Sequence, residues 1–231
     1  TFMWPPSFWY KIYEPFIRMA AGFGQASIKH DKEIYEHKYE YCDLLITGSG
    51  PSGLASAYAA AKNGARVILA EDKPRFGGSL LTSDVNIGNQ TGVEWTEKII
   101  AELKSMTNVT VKNRSQVLCY YDHNMLVMSE RISDHLPKTQ KYLPKQRLWY
   151  IRANEVLISS GSIERPLVFG NNDTPGVMLS SAAKEYMKVY GVLVGKKPLI
   201  FTNNDSGSET ASDFKKNGVN PIILDKRSNH T

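Results

Sequence analysis

One stretch limits what this chain can fold into more than any other. Cys42-Asp43-Leu44-Leu45-Ile46-Thr47 is a short apolar run that leads directly into Gly48-Ser49-Gly50-Pro51-Ser52-Gly53. An Ala-rich segment from Leu54 to Asn63 follows, Gly64 closes it, and Ala65 to Ala70 is a second apolar run. A short apolar run bounded by glycines reads as a buried strand, and an Ala-rich stretch ended by Gly reads as a helix. Strand, glycine turn, helix and strand make one βαβ unit, whose crossover implies a parallel sheet.

In that setting the G-x-G-x-x-G spacing carries a mechanism. Gly48 permits the tight turn, Gly50 lets a pyrophosphate approach the backbone, and Gly53 lets helix and strand pack closely. The helix N-terminus opened by Pro51 and Ser52 offers free N–H groups and partial positive charge to an anion. Glu71 ends the second apolar run about 20 residues on, where a carboxylate can accept both hydrogen bonds of an adenosine ribose diol. These features predict a dinucleotide site. FAD and NAD share the adenosine diphosphate half, so the fingerprint leaves both open. Glu71 would repel a ribose 2′-phosphate, which disfavours NADP, with Lys73 and Arg75 close by as a counterweight. Asp72 belongs to the same strand end. Arg75-Phe76-Gly77-Gly78-Ser79 then reads as a second anion-binding turn.

Further on, Thr91-Gly92-Val93-Glu94 has the spacing of a capping box and opens a helix to about Met106. Val109 to Val111, Val117 to Tyr121, Met125 to Met128 and Leu148 to Ile151 are short β-type runs, with His123-Asn124 at a tight turn, and are expected to form an antiparallel meander. Lys138, Lys141, Lys145 and Arg147 lie in or beside a polar insertion from Ser133 to Gln146, read as a solvated loop in preference to a phosphate patch. Val156-Leu157-Ile158 is a further strand leading to Ser159-Ser160-Gly161, and Ser180 to Tyr190 is a helix ended by Gly191. Leu199 to Phe201 and Ile222 to Leu224 frame a second βαβ cycle. Its turn, Thr202-Asn203-Asn204-Asp205-Ser206-Gly207-Ser208, lacks the spaced glycines and sets Asp205 where a phosphate should go, so this second site is expected to be degenerate and empty of dinucleotide.

The organisation expected is therefore an aromatic-rich arm or linker over residues 1–40, a first dinucleotide-binding domain over 41–194 with a meander insertion at about 109–155, and the truncated start of a second unit over 195–231. The arm carries Phe2, Trp4, Phe8, Trp9, Tyr10, Tyr13, Phe16 and Phe23 and needs a cover, either this domain or a partner. Pro15 suits the first turn of a short helix over Phe16 to Ala21, and Ile28 to Tyr39 reads as helix-like. A start at Thr1 and an end just after a strand point to an excised segment.

Charge excludes some classes. The 28 Lys and Arg against 23 Asp and Glu give only +5, spread along the chain, which argues against nucleic acid as a partner. No run approaches the ~20 apolar residues of a membrane span, and no signal peptide is visible, so no membrane and a cytoplasmic address are the expectation. Cys42 and Cys119, the only cysteines, are too far apart for a redox pair or zinc cluster, and both are expected to be buried. No nucleophile with its base, no isolated acid pair and no His cluster stands out. Catalytic and metal-binding residues are accordingly assigned to none.

The order of parts resembles the two-dinucleotide-binding-domain flavoproteins. Gly48 to Ala55, Gly77-Gly78-Ser79-Leu80-Leu81, Tyr120 to Asn124, Leu148 to Ala153, Ile163-Glu164-Arg165-Pro166 and Asn171 to Leu179 look like the α subunit of heterotetrameric sarcosine oxidase. The opening Trp4 to Phe23 segment and Thr202 to Ser206 share the likeness. It implies a complex with β, γ and δ subunits that demethylates sarcosine oxidatively to glycine, passes the one-carbon unit to tetrahydrofolate and yields hydrogen peroxide. It further implies NAD in this glycine-rich fold, in a structural or regulatory role, and the remaining groups outside it: FAD on the β subunit, FMN at the α/β interface and folate in a C-terminal domain. The residues it assigns to the nucleotide are Gly48, Ser49, Gly50, Pro51, Ser52, Gly53, Glu71, Asp72, Lys73, Arg75, Gly77, Gly78, Ser79 and Gly161. Alternatives are a self-contained FAD-dependent oxidoreductase and the α subunit of a related amino-acid or opine dehydrogenase complex.

Overall fold

The computed structural model describes residues 4–24, 27–137 and 142–227. The chain divides into two compact units, 1–33 and 34–231. In the first, a tight turn over Pro6–Phe8 and a wide helical turn over Trp9–Tyr13 lead into helix α1 (Glu14–Ala20). Pro15 lies in its first turn, where a missing N–H costs nothing, and Glu14 pairs with Arg18 one turn on.

The second unit begins with a strand where a helix was expected. Ile28 to Tyr39 forms no helix, because strand β1 (Tyr35–Thr47) already begins at Tyr35. Along this stretch Tyr35, His37, Tyr39 and Tyr41 alternate with Glu36, Lys38 and Glu40, the period-two pattern of a strand with two unlike faces. Long-range partners decide the matter: Glu36 pairs with Arg147 at 2.7 Å, and the Tyr39 ring stacks on Tyr150 with centroids 5.1 Å apart.

Helix α2 (Pro51–Lys62) and strand β2 (Val67–Ala70) complete the first βαβ unit, with β1 and β2 parallel from Leu44↔Val67 to Thr47↔Ala70. A small hairpin of β3 (Asn86–Ile87) and β4 (Gln90–Thr91) precedes α3 (Gly92–Ser105), whose capping box is formed. Thr91 Oγ1 accepts from Glu94 N at 3.3 Å while Glu94 Oε2 accepts from Thr91 N at 2.8 Å. Helix α3 buries Ile99, Ile100 and Leu103 against α2 and the sheet, each contributing about 1.5–3 kcal/mol.

Strand β5 (Val109–Lys112) does not belong to the meander. It returns from α3 to lie parallel to β2, as a right-handed crossover requires. The antiparallel meander is made by β6 (Ser115–Tyr121), β7 (Met125–Arg131) and β8 (Gln146–Ile158). His123 and Asn124 turn the first hairpin with φ of 59° and 50°. Leu148 to Ile151 and Val156 to Ile158 are one strand, not two: polar Arg152, Asn154 and Glu155 break the apolar run, but β8 stays parallel to β1 from Tyr35↔Gln146 to Thr47↔Ile158. The six-stranded order is β5-β2-β1-β8-β7-β6, so β8 serves the parallel and the antiparallel halves at once.

Two apolar clusters flank the sheet. Ile46, Leu54, Leu69 and Leu103 pack under the helices, while Cys42, Leu45, Leu126, Met128 and Ile151 fill the other face. Cys119 is exposed, contrary to expectation, because β6 is irregular between Val117 and Cys119 and its outer half faces solvent. Of the basic insertion, Lys138 and Lys141 lie outside the described residues. Arg147 is engaged by Glu36 and Glu130, and Lys145 N donates to Ile34 O at 2.7 Å.

The second cycle consists of α4 (Ser180–Tyr190), β9 (Leu199–Thr202), α5 (Ser206–Lys216) and β10 (Ile222–Asp225), with β9 and β10 parallel. Gly191 ends α4 in the left-handed conformation, φ 65°.

Candidate nucleotide site

The site lies where the C-terminal ends of β1, β2 and β8 meet the start of α2, the crevice in which open α/β sheets take their ligands. Ser159 N donates to Thr47 O at 2.8 Å, which brings the segment after β8 against the first glycine turn.

The three fingerprint glycines differ in what requires them. At Gly48, φ is 98° and a Cβ would stand 2.3 Å from Ser159 O; at Gly53 a Cβ would stand 2.0 Å from Gly48 O. Both are demanded by the fold. Gly50 is extended, with φ −68° and ψ −178°, and a Cβ there would meet nothing within 4 Å. Nothing inside the chain calls for glycine at 50, so the position fits a group arriving from outside. The first-turn N–H groups of Ser52 and Gly53, which follow Gly50 in the chain, have no intrahelical partner.

A second turn leans on the first. Gly77 (φ 120°) and Gly78 (φ 52°) start a short helical turn over Gly78–Leu81, and a Cβ on Gly78 would lie 2.9 Å from Gly50 Cα. Gly77 N donates to Ser49 O at 3.1 Å, and Leu81 and Thr96 close the space behind Gly77. Ser79 is exposed on the same turn, and Gly161 follows β8 with φ 73° and open space around it.

Glu71 is buried at 6% exposure. Its Oε2 accepts from Ser49 N at 2.9 Å and from Ser49 Oγ at 2.5 Å, and its Oε1 accepts from Lys73 N at 3.0 Å. Burial pushes the Glu71 carboxyl above its ordinary range, a hydrogen bond with Asp72 adds to this, and the Ser49 and Lys73 donors oppose it. Asp72 is exposed and its carbonyl accepts from Arg131 Nη2 at 2.8 Å. The Lys73 ammonium is paired with Glu185 of α4 at 3.2 Å, while Arg75 is exposed and borders a hollow with Phe76 and Glu97.

The structure thus gathers Gly48 to Gly53, Glu71, Gly77 and Gly78 into one double turn. Ser49 is the exception in kind: it is wholly buried behind the turn and touches Glu71, not open space. Sequence reasoning missed Ser159, which walls Gly48, and Glu185, which holds Lys73. Both partners are remote in sequence, and no local pattern marks them. This set fits an adenine dinucleotide by its open glycine, its free helix donors and a carboxylate at the strand end. Among the described residues, no three His, Cys, Asp or Glu side chains converge as metal ligands do.

Known proteins agree with this architecture. The FAD dependent oxidoreductase family model matches residues 43–123. The α subunit of sarcosine oxidase from Rhizobium meliloti (strain 1021) is 44% identical over 228 residues, 98% of this chain and 23% of that protein. The α subunit from Corynebacterium sp. (strain P-1) is 36% identical over 90% of this chain and 22% of its own length. The chain therefore spans less than a quarter of these relatives. An opine oxidase subunit from Agrobacterium tumefaciens (strain Ach5) is 26% identical over 70% of the chain and 33% of its own length. Among solved structures, L-proline dehydrogenase from P. horikoshii superposes with a TM-score of 0.67 at 22% identity, over 90% of this chain and 40% of that one. Lactococcus lactis thioredoxin reductase gives 0.55 at 17% identity, over 81% and 57%. These last two speak for the fold alone, a Rossmann-like α/β arrangement with a mixed sheet. By its sequence, the chain is a homologue of the sarcosine oxidase α subunits, and its residues 43–123 match the FAD dependent oxidoreductase family.

Proposed function

We propose that this chain is the NAD-holding segment of the α subunit of a multisubunit sarcosine oxidase. The observation that carries the reading is the contrast within the glycine turn: Gly48 and Gly53 are closed in by the protein, whereas Gly50 opens on space that the fold leaves free. Identity of 44% to a sarcosine oxidase α subunit supports the assignment to that complex.

In this reading Gly50, Pro51, Ser52, Gly53, Gly77, Gly78 and Ser79 surround the pyrophosphate, and Glu71 faces the adenosine ribose. Gly161 borders the far side, and Lys73, held by Glu185, offers no cation to a 2′-phosphate. A bound dinucleotide would supply two-electron redox capacity, although its role here is to hold or regulate the subunit. In this reading the residues of this segment bind and orient the nucleotide. Sarcosine demethylation, transfer of the one-carbon unit to tetrahydrofolate and hydrogen peroxide formation belong to the whole complex, with FAD, FMN and the β, γ and δ subunits outside this chain and a cytoplasmic location. Among the described residues, no helix is long and apolar enough to cross a membrane.

A second reading places FAD in the same cradle, and the family match over residues 43–123 favours it. Denaturing the purified protein and identifying the released nucleotide by mass, beside a visible spectrum taken beforehand, separates the two. NAD without flavin from this subunit supports the first reading. FAD makes this segment a redox centre, and no adenine nucleotide at all refutes both.

A further inference from the structure

Helix α4 is attached differently on its two sides. Ala183 and Met187 are buried with Ile200, Ala211 and Phe214, an apolar cluster of second-cycle residues distinct from the two that flank the six-stranded sheet. Charge carries the helix the other way. Glu185 and Lys188, three residues apart and so neighbours on one helix face, reach out of the second cycle. Glu185 pairs with the Lys73 ammonium at 3.2 Å, and Lys188 pairs with Asp84 at 2.5 Å. Lys216 of α5 pairs with Asp84 as well. Lys188 is anchored in its own body, because the buried Asp213 of α5 holds it at 3.0 Å.

The two segments that α4 reaches are the ones that border the glycine turn. Lys73 lies just past Glu71, whose Oε1 accepts from Lys73 N at 3.0 Å. Asp84 follows the short turn over Gly78–Leu81, and Gly78 approaches Gly50 so closely that a Cβ on it would lie 2.9 Å from Gly50 Cα. A nucleotide seated between these segments orders both. Lys73 and Asp84 are then already in place for α4, and the ion pairs form at a smaller cost in conformational entropy.

Resting on the dinucleotide reading above, we infer that α4 is a clasp: Glu185 on Lys73 and Lys188 on Asp84 fasten the second cycle across the nucleotide site, so that occupancy of the first turn tightens the second cycle. The nucleotide thereby controls how firmly a separately packed part of the subunit is held. The coupling runs through charges at the rim and needs no change in either apolar core.

The test is hydrogen exchange on the full-length subunit in its complex, freed of nucleotide and then saturated with NAD, or with FAD where that is the nucleotide the subunit retains. It compares the wild type with the double variant Asp84→Asn, Glu185→Gln, which removes both outer carboxylate charges at exposed positions and leaves the buried Lys188–Asp213 pair intact. In the wild type the nucleotide should slow exchange of the α5 amides by about threefold or more, the combined effect of a few partly exposed ion pairs. In the double variant the amides of α2 and of the Gly78–Leu81 turn should still be slowed, while those of α5 should stay within about 1.5-fold of their nucleotide-free rate, the pairs being gone. No slowing of α5 in the wild type overturns the inference, and so does equal slowing of α5 in both proteins. The wild-type comparison decides even where the variant does not assemble. No slowing anywhere, α2 included, with NAD and FAD alike is the failure of the dinucleotide reading itself, and it would take the inference with it.

Discussion

Gly50→Ala separates what the fold needs from what a ligand needs. Residue 50 has φ −68° and ψ −178°, angles any residue adopts, and the added methyl would meet no atom within 4 Å. Such a substitution stabilises by about 0.4–1 kcal/mol, because the unfolded chain loses freedom and the folded one loses nothing. For a chain of this size that is a rise of roughly 1–4 °C in Tm without nucleotide. With nucleotide at a hundredfold excess over its Kd, the parent protein gains a further ~2.7 kcal/mol. The variant should lose that gain, since its methyl fills the space the pyrophosphate enters. Gly53→Ala is the opposite control: its Cβ would stand 2.0 Å from the Gly48 carbonyl, so the backbone must shift. Forced overpacking costs about 1–3 kcal/mol, which lowers Tm with no nucleotide present. Thermal denaturation of the three proteins, each with and without dinucleotide, reads both effects. If Gly50→Ala melts well below the parent, the fold itself requires that glycine. If it keeps the nucleotide-dependent shift, the pyrophosphate is not at the turn.

Two further outcomes follow from the same structure. Asp84 accepts hydrogen bonds from Lys188 of α4 and Lys216 of α5, and these ammoniums, Lys188 foremost, hold its carboxyl at about 2 against an ordinary 3.8. A depressed carboxylate stabilises fully above its unfolded value and loses that contribution as pH falls through the folded one. Asp84→Asn should therefore cost a constant amount above about pH 4, with the gap to the parent closing towards pH 2. The side chain is 55% exposed, so the loss should stay under about 1 kcal/mol, and a gap that widens in acid would refute the assignment. Burial pushes the Cys42 thiol up to about 12, while Cys119 is exposed. Alkylation of the native protein followed by peptide mass analysis should find Cys119 modified and Cys42 intact, with both modified after denaturation; prior labelling of Cys42 would mean that β1 opens readily.

How much of this was readable in the sequence depends on how local the cause was. The first βαβ unit, the capping box at Thr91 and the Gly191 stop rest on residues within a few positions of each other, and their patterns are visible in the chain. The misassigned strands all concern partners far away. Tyr35 to Tyr39 mixes charges with aromatics and resembles an exposed helix until Arg147 and Tyr150 are placed beside it. Val109 to Lys112 carries the same β-type composition as the meander strands, and only the crossover through α3 assigns it to the parallel side. Arg152 to Glu155 look like a break because the sequence does not show that β1 continues alongside. In the candidate site the glycines were legible because each acts through its own backbone. Burial of Ser49 and the hold of Glu185 on Lys73 were not, since they arise from packing between segments remote in sequence.

The two βαβ turns of this chain show which glycine carries information about a ligand. Aligned by position, Gly53 corresponds to Gly207, and both lack room for a side chain: a Cβ on Gly207 would lie 2.6 Å from Thr202 Cβ. That glycine reports close helix–strand packing wherever the unit occurs. Gly50 corresponds to Asn204, and here the turns part. Asn204 Oδ1 accepts from Ser206 N at 3.0 Å and from Ser206 Oγ at 2.6 Å, so a side chain takes the helix donor that an anion would use. Asp205 is paired with Arg227 at 2.9 Å, and Asp225, at the strand end that corresponds to Glu71, holds the same guanidinium at 2.7 Å. The second turn thus supplies its own anion-like groups, and a pyrophosphate would have to displace a carboxamide and enter beside a carboxylate. The first turn supplies none at the open position. An unsatisfied helix start next to a glycine that the fold does not need is what distinguishes a binding turn from a packing turn, and only the 48–53 turn of this chain has both among the described residues.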